Sequence, residues 1–68
     1  MILTFNRDFY NLKAVRTAKE VYKDFAQFSI EKKDDSIQVE LDNIDPDVED
    51  VIDDEFSNYI LACMQELK

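Results

Sequence analysis

QFSIEKKDDSIQVELD, residues 27–42, decides the fold. Phe28 and Ile30 alternate with Ser29 and Glu31; Ile37, Val39 and Leu41 alternate with Gln38 and Glu40. A period of two is the signature of strands with one buried face and one wet face. Lys33-Asp34-Asp35 between them reads as a polar turn, so the stretch is a hairpin. The chain has no glycine. A mirror-image two-residue turn would therefore force a non-glycine residue to positive φ, and Asp34 or Asp35 is expected to bear it.

Upstream, ILTFN at 2–6 reads as a short strand. NLKAVRTAKEVYKDFA then places Leu12, Val15, Ala18, Tyr22, Phe25 and Ala26 at helical spacing, which predicts a helix over 12–26. Asn11 is its N-cap, because its side chain can accept from the free amides of the first turn. Lys13, Arg16, Lys19, Glu20 and Lys23 fall on its exposed side.

Downstream, Asp45-Pro46 is a helix-start signal. Phe56, Tyr59, Ile60, Cys63, Met64 and Leu67 recur at three and four residues. Val48, Val51, Ile52 and Phe56 continue in phase with this stripe, so the helix either begins at Pro46 or follows a short turn at 46–51, with the main helix predicted at 53–67. Asn58 and Glu55 are polar within this apolar stretch and are expected to face solvent; Asn58 could also hydrogen-bond a loop or a partner backbone.

The element order is β-α-β-β-α, one domain spanning residues 1–68. A right-handed crossover puts strand 3 between strands 1 and 2, antiparallel to both. Both helices then cover one face of a three-stranded antiparallel sheet. The fold class is α+β, a ferredoxin-like half. Lys19 and Lys23 of helix 1 are expected near the acidic start of helix 2, where they would help set helix order.

Composition narrows the function classes. The chain has 68 residues, eight Lys and Arg against sixteen Asp and Glu, and a net charge of −8. Phosphate neutralisation needs basic residues, so nucleic acid and anionic membranes are not expected partners. Met1 leads directly into a strand-like run with no basic leader and no long apolar stretch, so neither a signal peptide nor a membrane span is expected. A single cysteine forms no internal disulfide, which fits a reducing cytoplasm.

Catalytic groups are sparse. There is no histidine, the commonest general base and metal ligand. Without glycine there is no glycine-rich phosphate loop. Cys63 sits in an apolar stripe near a helix C-terminus, which disfavours a thiolate; burial in the core is the expected role and redox chemistry the minor alternative. An EF-hand loop laid on Asp45, Asp47 and Glu49 finds Asp50 where glycine is needed and Phe56 where a bidentate glutamate is needed. The acids of 42–55 are accounted for by the preference of helix N-termini for negative charge, with an electrostatic partner surface as the alternative. No catalytic, cofactor or metal site is expected.

Two stretches resemble a known family. Tyr10-Asn11-Leu12-Lys13-Ala14-Val15, followed by Ala18 and Tyr22, is similar to the first helix of the HxsD-like proteins. Glu55-Phe56-Ser57-Asn58-Tyr59-Ile60-Leu61 resembles that family's closing E-F-x-N-x-L-L signature, with Lys68 where a basic residue often ends it. Those small proteins are encoded in His-Xaa-Ser cassettes beside radical SAM enzymes that modify a peptide. The resemblance implies a small non-catalytic accessory or peptide-recognition module. The alternative is a structural homo-oligomer. For either, strand 1 is the expected contact, through Ile2, Leu3, Thr4 and Phe5, with Asn58 as a further candidate. That strand is uncharged, and it stands where a ferredoxin-like sheet would carry its fourth strand.

Overall fold

The computed structural model describes residues 1–66, with side chains to residue 65. The order is β1 (Ile2–Asn6), α1 (Leu12–Tyr22), β2 (Gln27–Lys32), β3 (Ser36–Asp42) and α2 (Ile52–Glu66). The sheet order is β1-β3-β2 with both pairings antiparallel, as the hairpin and crossover imply. Leu67 of the predicted stripe and Lys68 lie outside the described residues.

Register follows the hydrophobic pattern. Leu3 stands opposite Val39 and Phe5 opposite Ile37; across the other seam Ile30 faces Val39 and Phe28 faces Leu41. These side chains share one face with Ala14, Val15 and Ala18 of α1 and Ile52, Phe56 and Ile60 of α2. Slipping either seam by one residue would turn the whole set to solvent, so burial itself fixes the register. Phe56 is 0% exposed. Its ring centroid lies 5.1 Å from Phe28, 6.1 Å from Tyr22 and 6.2 Å from Phe5. The other face of the sheet is polar, with Thr4, Gln38, Glu40, Ser29 and Glu31.

Asn11 caps α1 as expected. Its backbone is extended (φ −93°, ψ 131°) and Oδ1 accepts from the Lys13 amide at 2.7 Å. The helix, however, ends at Tyr22 rather than 26. The Phe25 amide donates to the Tyr22 carbonyl at 2.9 Å in a turn, and Ala26 enters the core as the lead-in to β2. Phe25 is left 37% exposed. Its three-residue spacing from Tyr22 mimics a helical stripe that the chain has already abandoned.

The hairpin turn also departs from expectation. Neither Asp34 nor Asp35 has positive φ; among the described residues only Asn43 does, at 50°. Asparagine tolerates that region better than most residues. The β2–β3 turn is closed by Lys33 N–H donating to the Ser36 carbonyl at 2.8 Å. Arg7 supports it from outside: its Nη1 donates to the carbonyls of Lys33 (2.9 Å) and Asp34 (3.2 Å), and its amide to that of Asp35 (3.1 Å).

Residues 46–51 form turns and not the opening of a continuous helix, so Asp45-Pro46 starts a turn and not α2. Asp45 Oδ1 accepts from the Asp47 amide at 2.9 Å, and α2 proper starts at Ile52. The expected ion pairs between helices are not made. Among the described residues the one salt bridge is Lys23 to Glu20 at 3.2 Å, within a single turn of chain. Helix order therefore comes from the packing of α1 on α2 and not from charge.

Candidate functional site

Hydrogen-bond parity shows what β1 offers. Met1 and Leu41 exchange backbone bonds: the N-terminal ammonium donates to the Leu41 carbonyl at 3.1 Å, and the Leu41 amide to the Met1 carbonyl at 2.8 Å. At the other end Arg7 N–H donates to Asp35. In an antiparallel ladder such pairs recur every second residue. Leu3 and Phe5 therefore bond inward to β3, and the N–H and C=O groups of Ile2, Thr4 and Asn6 point away from the sheet. The Asn6 carbonyl is already taken by the amides of Phe9 (3.0 Å) and Tyr10 (2.9 Å). Ile2 and Thr4 remain as the open edge.

The candidate residues divide accordingly. Leu3 and Phe5 give their side chains to the core and their backbone groups to β3, so they offer the edge nothing to bond. Ile2, 58% exposed, and Thr4 present their side chains on the polar face of the sheet. Asn58 is exposed, and two residues on from Phe56 it is rotated about 200° from the buried line of α2. It belongs to the solvent side of the helix and is not joined to the β1 edge. Glu55 is likewise exposed.

The β2 edge is differently furnished. The Lys33–Ser36 bond sets the parity, so Phe28, Ile30 and Lys32 direct their backbone groups outward. Glu31, Lys32 and Lys33 crowd its far end with charge, which discourages pairing.

Cys63 is 9% exposed and packs in the core cluster, as its place in the stripe implies. Among the described residues no three Asp, Glu or Cys side chains converge as metal ligands. No helix among the described residues is long and apolar enough to cross a membrane.

A second surface feature is absent from the sequence reading. Tyr22, Phe25, Val48, Val51, Ile52 and Glu55 line an apolar pocket of about 210 Å³. The Asp45 amide, donating to the Phe25 carbonyl at 2.7 Å, ties its two walls together. Burial of the Tyr22 ring raises its hydroxyl above the ordinary 10.0, and the Glu55 carboxylate and Tyr59 add to the rise.

Compared with known proteins, the chain matches no family model, no curated protein and no solved structure.

Proposed function

We propose that the chain is a small non-catalytic binding module whose β1 edge takes an extended peptide, as an accessory in a radical SAM peptide-modification system. The observation that carries this reading is the pair of outward backbones at Ile2 and Thr4, on a strand free of charge until Arg7. Strand addition uses such groups for affinity and neighbouring side chains for selection. Four backbone bonds at ~0.5–1.5 kcal/mol net each suit a transient accessory contact. The likeness of the α1 and α2 stretches to the HxsD-like proteins supplies the peptide-modifying context.

The test is amide exchange at Ile2 and Thr4. The gene is expected beside a radical SAM gene and a short His-rich precursor. That precursor, made synthetically, should slow exchange at both amides, and Thr4→Pro should abolish the protection while α1 and α2 stay folded. Exchange that stays fast at every peptide concentration would sink the proposal.

Self-pairing through the same edge is the second reading. It is favoured by the lack of charge on β1, since two copies could meet there without repulsion. It predicts protection that grows with protein concentration alone, accompanied by dimer in sedimentation.

A further inference from the structure

The apolar pocket lies on elements that the open edge does not use. One wall is the end of α1 and its following turn, Tyr22 and Phe25; the other is Val48, Val51, Ile52 and Glu55. Val51 is 46% exposed, so the lining is open to an incoming group. The volume, about 210 Å³, is larger than the ~150 Å³ apolar cavity that accommodates benzene. One leucine or phenylalanine side chain fits.

Charge decides what carries that side chain. Residues 45–55 hold seven acids and no base. None of the seven is ion-paired among the described residues. Asp53, Asp54 and Glu55 occupy the first turn of α2. Three carboxylates outweigh the roughly half positive charge of a helix N-terminus, so the rim attracts cations. Because no three carboxylates converge, a single metal ion is poorly served; several separated cations are matched well. A second copy of this chain would bring its own excess of acids against these.

We infer that this pocket seats one large apolar side chain of a basic partner segment, whose flanking lysines or arginines meet the acids of 45–55. The pocket supplies affinity through burial, and the acidic rim supplies steering and selection. The surface is separate from the β1 edge, so either can fail alone.

The test uses the labelled hexapeptide Lys-Lys-Leu-Phe-Lys-Lys with the intact protein, followed by anisotropy and by amide and ring NMR shifts. Shifts are expected at Tyr22, Val48 and Val51, with exchange at Ile2 and Thr4 unchanged. Val51→Glu fills the pocket mouth at an exposed position and should weaken binding about tenfold or more, as should replacing Leu-Phe by Ala-Ala. The double variant Glu49→Gln, Asp50→Asn should weaken binding and flatten its salt dependence. Equal binding of the alanine peptide, or indifference to Val51→Glu, would reduce the contact to diffuse charge attraction and overturn the inference. So would a failure to bind, or shifts confined to other surfaces.

Discussion

Phe56 is the largest of the fully buried side chains described. It is fully buried, and it joins α2 to β1, β2 and α1 through Phe5, Phe28 and Tyr22. Truncating a core phenylalanine typically costs ~3–5 kcal/mol. A core of this size rarely nets more than ~3–5 kcal/mol in total. Phe56→Ala should therefore unfold most of the population at room temperature, seen as loss of the urea or thermal transition and as rapid alkylation of Cys63. A variant melting within a few degrees of the parent would show that the core does not depend on this ring. Tyr22 makes a different prediction. Its hydroxyl is raised, first by burial and then by Glu55, so the folded state holds the proton longer than the unfolded state does. Its contribution is complete below the unfolded value near 10 and drains away as pH climbs towards the raised folded value. Stability should fall above pH ~10, and Tyr22→Phe should flatten that decline. Glu55→Gln should bring the Tyr22 ring titration, followed by NMR, only part of the way back, because burial is the larger cause. A full return would reverse that order.

At the scale of elements, what could be read in the sequence and what could not separate cleanly. The strands were legible because period two runs without interruption at 28–31 and 37–41, and α2 because its stripe holds phase from Ile52 to Cys63. Asn11 announced the start of α1 through its side-chain chemistry. The end of α1 was not legible: Phe25 and Ala26 keep helical spacing, yet Ala26 is buried in the core while Phe25, 37% exposed, lies at the surface beside Tyr22. The turn at Asp34-Asp35 was misjudged for a related reason. Its carbonyls are satisfied from outside, by an arginine 26 residues away from Lys33. No local pattern contains that information. Arg7→Ala should cost about 1–2 kcal/mol, since it deletes donors to two carbonyls at an exposed site. Amide exchange should quicken first at the hairpin turn, with the centre of β3 unaffected. Unchanged exchange there would mean that the turn holds itself.

For the whole molecule, the architecture followed from one inference, that a crossover and a hairpin leave β3 in the middle. The open edge could be anticipated from that arrangement, but only the backbone parity narrows it from five residues to Ile2 and Thr4. The phase of the α2 stripe already turned Asn58 to solvent, where the fold leaves it. The pocket needed residues 22–25 brought against 48–55, a meeting that neither stretch encodes alone. Charge was legible as a sum and not as an arrangement: lysines and acids that suggested cross-helix pairs stay apart in the fold.

The central position of β3 also sets an order of events on the ribosome. β1 is made before α1, β2 and β3, and its inward amides have no partner in α1 or β2. Phe5 and Leu3 must wait for Ile37 and Val39, a delay of some seconds at ~5–20 residues per second. Even then the apolar face lacks Ile52, Phe56, Ile60 and Cys63, which are synthesised last of the core. Until β3 is made, β1 is an uncharged strand without a pairing partner. Anything that captures extended segments at the exit tunnel, a holdase or a neighbouring nascent copy, meets β1 before the protein's own sheet does.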